Sequence, residues 1–524
     1  MKRRDFLKIT TAGLMMTQAM RAHAAGGNTT FVASLFPEPS YLNTVVHNWF
    51  PNSILVANIY DGLLEYDDRH QPLPSLATAW EVTDGGKTIR FELRRGVTWH
   101  DGKPFTAHDV KVSLLEGWKK LHSRGRITFA AVEEVETPDD HTVILRLSNP
   151  SPVLFHALSA AESPVLPAHL FEGTDFKENP VSQNPVGTGA FRFVKWDKVT
   201  LIELERNTDF WGEGLPHIDR LIYRFIPDEA TRAAALETEE IHYAIYDPVA
   251  YSDLDRIKEI PFLQIETRGY DWQSQVRLIE FNLRNPILAD LRVRQAIAHA
   301  IDKQGLIDTV VNGYAIPAVS PVPSPSPYHS TDVQHYDLDR AKAEALLDEA
   351  GHPRGADGVR FKLRIDREAF SVPILVSEYI RQSLKPVGIE IDIVSRDNAS
   401  FLKAVYTDFD FDINNINIST YLEPQIGLPR LYWSKAAKQG VSYVNASGYV
   451  NAELDKVIED LQFELDVEKR KALFTRFQQI AQTDLPILPL FEVQHFSLIN
   501  KKVSGVPVVP EGFNASLKSV RIEG

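Results

Sequence analysis

Cysteine is absent from this 524-residue chain. The chain therefore has no thiol nucleophile, no thiolate ligand for zinc or an iron–sulfur cluster, and no disulfide. The same absence removes the residue that carries a lipid anchor in exported proteins. We expect no direct membrane anchor for this protein.

Basic residues are also fewer than acidic ones. The chain has 56 Lys and Arg residues and 70 Asp and Glu residues, which gives a formal net charge of −14. Phosphate binding needs clustered Lys and Arg, so nucleic acid is not an expected partner. Beyond the N-terminus no stretch approaches the ~20 apolar residues that span a bilayer. The length exceeds the roughly 250–300 residues of a single core, which predicts two large lobes, or two lobes plus a subdomain.

Residues 1–24 have the order of features found in an export signal. The string RRDFLK at 3–8 resembles the twin-arginine motif, a modestly apolar stretch follows, and Ala22-His23-Ala24 provides a cleavage pattern. The alternative is an amphipathic N-terminal helix of a cytosolic protein. We expect recognition by the twin-arginine translocase, cleavage near Ala24 and a periplasmic location.

Periodicity predicts alternating strands and helices in the rest of the chain. Residues 88–93 and 142–147 alternate with period two, as strands do, whereas residues 468–484 have one apolar face at helical spacing. Asp290 and either Asp337 or Asp339 are predicted to cap helices. The proline-rich segment 317–327 is either an interdomain linker or, as we expect, an ordered loop over one lobe.

Five blocks of sequence, in a fixed order, carry a resemblance to a known family. They are IYDGLLEY at 59–66 with PSLATAW at 74–80, FELRRGVTWHDGKPFTAHDV at 91–110, VGTGAF at 186–191 with ERNTDFW at 205–211, FNL at 281–283 with VRQAIAHAID at 293–302, and DLPILPLF at 484–491. Through these blocks the chain resembles the bacterial extracellular solute-binding proteins, family 5, of peptide, opine and nickel importers.

The resemblance implies an α/β fold with two lobes, similar to that of the class II periplasmic binding proteins. Lobe I would comprise residues 25–272 plus 488–524, with a subdomain inserted at about 60–180, and lobe II residues 273–487. The chain would cross between the lobes near 270–272 and 488–490, and the lobes would close like a hinge. The implied protein is a monomer that delivers a small-molecule ligand to ABC permease subunits.

His100, Asp101, His108 and Asp109 are the group that most suggests an acid–base or metal site. The resemblance gives this block a structural role instead, as a turn at Asp101-Gly102 followed by the start of a helix. Gly-x-Ser-x-Gly, phosphate-loop and His-Glu-x-x-His motifs are missing. We therefore predict no catalytic residue, no metal and no cofactor. A periplasmic hydrolase and a sensory binding protein remain as alternatives.

Segment 411–424, FDINNINISTYLEP, is the predicted binding segment. Peptide-binding relatives usually carry here an Asp that receives the peptide ammonium, and a Trp three residues before it. Counting back from Glu423-Pro424 puts Thr420 at the position of the Asp and Asn417 at the position of the Trp. An alternative is that the alignment slips by one residue and the amides cap strand ends. The predicted ligand-binding residues are Asn414, Asn417, Ser419, Thr420, Tyr421, Trp433, Trp272, Tyr270, Phe491 and Glu492.

Neutral amides and hydroxyls in this segment suit a neutral, hydrogen-bonding ligand. The family instead favours an oligopeptide or an amino-acid-derived compound. A neutral sugar, an oligosaccharide or an opine-type conjugate is the alternative, and a nickel chelate comes third.

Overall fold

The computed structural model describes residues 29–368 and 371–523, so the predicted signal peptide lies outside the described residues. Strands in the described part form two large sheets, one four-stranded sheet and two small hairpin-like pairs. The strands are β1 Thr30–Ser34, β2 Leu64–Tyr66, β3 Pro72–Pro74, β4 Ala77–Thr83, β5 Thr88–Leu93, β6 Val132–Asp139, β7 Thr142–Leu147, β8 Phe191–Asp197, β9 Leu201–Arg206, β10 Arg220–Arg224, β11 Tyr243–Ala244, β12 Leu263–Glu266, β13 Gln275–Phe281, β14 Ala315–Pro317, β15 Phe361–Glu368, β16 Ile389–Arg396, β17 Ile413–Ser419, β18 Ile487–Val493, β19 Ser497–Asn500, β20 Val503–Ser504 and β21 Arg521–Ile522.

The helices lie mainly in the second half of the chain, and their starts follow the capping rules. Asp290, Asp339 and Asp466 each accept a backbone N–H of the first turn. The helices are α1 Phe50–Ile59, α2 Ala107–Val112, α3 Gly125–Thr128, α4 Ala168–Phe171, α5 Glu229–Glu237, α6 Leu254–Lys258, α7 Pro286–Ala289, α8 Leu291–Ala300, α9 Lys303–Val310, α10 Arg340–Glu349, α11 Ser371–Leu384, α12 Asn398–Lys403, α13 Ala452–Leu461 and α14 Val467–Asp484.

Lobe I is built on a seven-stranded sheet with the order β12-β19-β11-β1-β10-β9-β8. Its first strand, β1, pairs in parallel with β10 and β11, while the remaining pairs are antiparallel. Phe31, Leu221 and Tyr223 are buried in its core. The inserted subdomain contributes a separate antiparallel sheet, β4-β5-β7-β6, which shares the same apolar cluster through Phe91.

Lobe II is built on a six-stranded sheet with the order β14-β18-β13-β17-β15-β16. One face packs against α8 and α11 through side chains such as Ile279 and Ile365. The other face packs on α13 and α14 through Ile416 and Phe477. Because helices cover both faces of a mixed sheet, this lobe has the α/β architecture that the sequence predicts, and the two-lobed fold is confirmed.

The chain passes twice between the two large sheets. The first passage, 267–274, joins β12 of one sheet to β13 of the other, at the predicted place. The second passage is 494–496, because β18 pairs with β13 and β14 through Val493. Residues 488–490, the expected crossing, therefore lie inside the sheet of lobe II.

The proline-rich segment 317–327 is an ordered loop against lobe II, as expected. Ser320 donates its hydroxyl to Gln478 of α14 at 2.8 Å, and Ser326 donates to the carbonyl of Leu422 at 2.7 Å. Among the described helices, none combines the length and apolar character that crossing a membrane requires.

Gly187 of the VGTGAF block shows why one of the family's glycines is needed. A Cβ atom at this position would lie 1.8 Å from the carbonyl oxygen of Ile59, the last residue of α1. Gly187→Ala must push two backbone segments apart, and we expect a loss of about 1–3 kcal/mol in the free energy of unfolding, measured by urea titration. Gly173→Ala is the matched control, since its Cβ meets no atom within 4 Å and it adds only the strain of a positive φ. Equal losses in the two variants would contradict the close-approach explanation.

Candidate functional site

An aromatic junction connects the two lobes beside the first passage. Trp272 is buried, and its backbone N–H donates to the carbonyl of Pro510 in lobe I at 3.0 Å, while its own carbonyl accepts from Leu422 N in lobe II at 3.1 Å. Its ring lies 4.4 Å from the His70 ring of the subdomain and 5.6 Å from the Tyr421 ring of lobe II. Trp272 therefore contacts all the parts that would have to move when the lobes open.

An ion pair of the subdomain completes this junction. Arg124 donates its Nε to Glu162 at 2.9 Å, and its guanidinium lies 5.2 Å from the centre of the Tyr421 ring. Burial alone would raise the pKa of Glu162, but the charges of Arg124 and His122, together with hydrogen bonds from Arg124 and Trp272, hold that pKa below the ordinary value. The ion pair thus presents a fixed cation to the aromatic face of lobe II.

A chain of polar side chains forms a second contact between the lobes. The Asn417 amide donates to Gln275 Oε1, and Ser419 Oγ accepts from Gln275 Nε2 at 3.3 Å. Gln275 Nε2 also lies 3.1 Å from the Tyr246 hydroxyl of lobe I, to which it donates. Asn417 Oδ1 is buried without a hydrogen-bond partner. Two of the predicted binding residues, Asn417 and Ser419, thus reach lobe I through Gln275.

Asn414 and Thr420 lie on the opposite face of β17 and its continuation, because side chains alternate along a strand. The Asn414 amide donates to the buried carboxyl of Glu280 at 3.2 Å. Thr420 is fully buried, and its hydroxyl donates to the carbonyl of Ser274 at 2.9 Å. The structure therefore places both residues inside lobe II and its hinge, away from the two contacts described above.

Tyr270, Phe491 and Glu492 lie at the hinge or in a core. The Tyr270 hydroxyl bonds to Ser497 and its ring stacks on Phe513 within lobe I, while Phe491 belongs to the core of lobe II. Glu492 accepts from Ser324 N at 2.9 Å, and burial raises its pKa. Tyr270 and Glu492 line a hinge cavity of about 80 Å³, which has room for little more than water.

Trp433, the remaining predicted residue, lines a larger cavity between the inserted subdomain and lobe II. Its volume is about 520 Å³, within the size range of small-molecule sites. The subdomain contributes residues between 126 and 153, and lobe II contributes residues between 425 and 463. Two charged side chains line it, Arg126 and Arg430, both missed in the sequence. The sequence contained two signals for these arginines. One is the string Arg124-Gly125-Arg126, and the other is the position of Arg430 six residues after Pro424.

Comparison with known proteins shows which family this chain resembles over most of its length. Residues 71–440 match the family described as bacterial extracellular solute-binding proteins, family 5 Middle. The dipeptide-binding protein of Escherichia coli is 27% identical over 479 residues, covering 87% of each chain. The heme-binding protein A of Haemophilus influenzae is 25% identical over 485 residues, covering 87% of this chain and 86% of that protein.

Two solved structures are similar over nearly the whole chain. The ABC transporter substrate-binding protein CtaP from Listeria monocytogenes has a TM-score of 0.82 at 25% identity, covering 95% of this chain and 100% of that one. The binding protein AgaA from A. tumefaciens R10, in complex with agropinic acid, has a TM-score of 0.76 at 26% identity, covering 94% and 99%. The chain belongs to the bacterial extracellular solute-binding proteins of family 5.

Proposed function

We propose that this protein is the periplasmic substrate-binding component of an ABC importer. It captures a small solute between its two lobes and delivers the solute to the permease. The observation that carries this proposal is the cavity of about 520 Å³ whose two walls come from different lobes. A solute in that cavity contacts both walls only when the lobes are closed, so binding selects the closed form that a permease can recognise.

The solute class that the family favours is an oligopeptide or an amino-acid-derived compound. A free peptide ammonium, however, needs a carboxylate partner when it is desolvated. By the count back from Glu423-Pro424, we take Thr420 to stand at the position of the ammonium-binding Asp, and its hydroxyl donates to the carbonyl of Ser274. Glu423, three residues further along the chain, and Glu162, in the junction, are paired with Arg470 and Arg124. These contacts disfavour an ordinary peptide N-terminus.

A second candidate is therefore an opine-type or related conjugate without an exposed ammonium. Its support is the occupied Thr420 hydroxyl together with the similarity to AgaA, which binds agropinic acid. Export by the twin-arginine route, a monomeric state and the absence of catalysis complete the proposal. They rest on the RRDFLK string and on the family's role in transport.

Native mass spectrometry tests the proposed function. The protein is freed of cargo by dialysis, equilibrated with a metabolite extract of rich bacterial medium and transferred to a volatile buffer. We expect a one-to-one adduct of a small molecule that is released intact on denaturation. A folded protein that gains no adduct contradicts solute capture, and release of the solute in cleaved form supports a hydrolase instead.

A further inference from the structure

The cavity between the inserted subdomain and lobe II has an uneven charge. Arg126 and Arg430 line it, and its described lining includes no Asp or Glu. A cavity with two guanidinium groups and no carboxylate attracts an anion and repels an ammonium group. This charge contrasts with the protein as a whole, whose formal net charge is −14.

Arg430 is the more enclosed of the two side chains. Its Nε donates to the carbonyl of Gly427 at 3.0 Å, which fixes the direction of the guanidinium. Among the described residues, the ionisable groups that act on it are Tyr421, Tyr406, Tyr443 and Arg124, and none of them is a carboxylate. Burial lowers its pKa, and the neighbouring Arg124 charge adds to this effect. A half-buried cation with these surroundings is stabilised by an anion from outside the chain.

Two acids near the cavity are paired with other cations. Glu162 pairs with Arg124, and Glu459, which accepts from Trp433 Nε1 at 3.4 Å, pairs with Lys435 at 2.5 Å. Arg126 donates its Nε to the carbonyl of Lys120 at 2.9 Å, a bond that leaves its charge uncompensated. No carboxylate of the described lining therefore neutralises the positive charge of the cavity.

The rest of the lining is largely apolar. These side chains can cover a hydrocarbon or aromatic body next to the anionic group, and the ring of Trp433 offers a stacking surface. The large apolar side chains of the lining are those of Ile127, Val153, Ile426, Trp433, Ile458 and Phe463.

Building on the proposed function, we propose that the transported solute is an organic anion whose anionic group binds Arg430 and Arg126 in this cavity. The guanidinium of Arg430 forms the main charge-assisted hydrogen bonds, and Arg126 at the mouth adds attraction. The apolar part of the solute lies against Trp433. Closing of the subdomain wall onto lobe II brings the two arginines to the same anion.

Ion-exchange fractionation tests this assignment. The metabolite extract is divided at pH 7 into anionic, cationic and neutral fractions, and each is offered to the cargo-free protein before native mass spectrometry. We expect the adduct from the anionic fraction. An adduct from the cationic or neutral fraction alone overturns the anionic assignment and leaves solute capture intact. No adduct from any fraction overturns the proposed function itself.

Variants locate the anion. Arg430→Gln is expected to weaken binding of the anionic fraction's solute about tenfold to a hundredfold, the value of one lost charge-assisted hydrogen-bonding group. Arg126→Gln, on an exposed side chain, is expected to weaken it several-fold without any effect on folding. Arg95→Gln, also exposed but outside the cavity, is the control and retains full binding. Unchanged binding in both cavity variants, with Arg95→Gln as reference, overturns the proposal.

Discussion

Replacing Arg470 by Met is expected to lower the free energy of unfolding by roughly 3–5 kcal/mol, because it leaves a buried carboxylate without its partner. Arg470 Nη2 and Glu423 Oε1 are 2.6 Å apart, and both side chains are almost fully buried, at 3% and 1% exposure. Arg470 also donates to the carbonyl of Leu461, so it joins α13, α14 and the turn after β17. Urea unfolding followed by circular dichroism measures the loss.

Two further variants identify the cause. Arg476 lies on the same helix as Arg470, and Arg476→Met removes its exposed ion pair with Glu453 of α13, which we expect to cost no more than about 1 kcal/mol. The double variant Glu423→Gln/Arg470→Met no longer buries a lone charge and should recover a substantial part of the stability. If the double variant is less stable than Arg470→Met, the loss comes from packing and not from the unpaired carboxylate.

Glu280→Gln is expected to stabilise the protein by roughly 3 kcal/mol at pH 8.5 and by nothing at pH 4. Burial raises the pKa of Glu280 from 4.5 to about 7, against hydrogen bonds from Asn414, Ser447 and Ala446 that lower it. Because the unfolded carboxyl ionises at lower pH, the folded state loses stability between pH 4.5 and 7 and stays penalised above that window.

A Gln at position 280 keeps the local hydrogen bonds. Its oxygen can accept from Ala446 N and Ser447 N, as Glu280 Oε1 does at 3.0 and 2.8 Å. Its amide can donate to Asn414 Oδ1, which has no partner at present, once the Asn414 amide rotates. Thermal melts of both proteins across pH 4–9 give the comparison. A difference that is the same at pH 4 and pH 8.5 would mean that ionisation of Glu280 plays no part.

Much of the fold could be predicted from local patterns. Residues 88–93 and 142–147 form β5 and β7 because strict alternation allows only one face of each strand to be buried. Asp290 and Asp339 cap their helices because an unsatisfied N–H at a helix start needs an acceptor nearby. Such signals act within a few residues, so a single sequence displays them.

The site was harder to predict because its contacts join distant parts of the chain. The string NNINIS of β17 puts polar side chains on both faces, so the pattern could not distinguish Asn417 at the interlobe contact from Asn414 in the core. Arg124 and Arg430 meet around Tyr421 although they are far apart in sequence. The second passage was misplaced because ILPLFEV is a strand buried inside a sheet, not a connection.

Small-angle X-ray scattering is the most direct test of the central claim, that the two lobes close around a solute. The cargo-free protein is measured alone and after equilibration with the anionic metabolite fraction, with adduct formation verified on the same sample. We predict that the loaded protein has a smaller radius of gyration, because the solute binds both walls of the cavity and selects the closed form. Identical scattering from cargo-free and fully loaded protein would contradict closure around the solute.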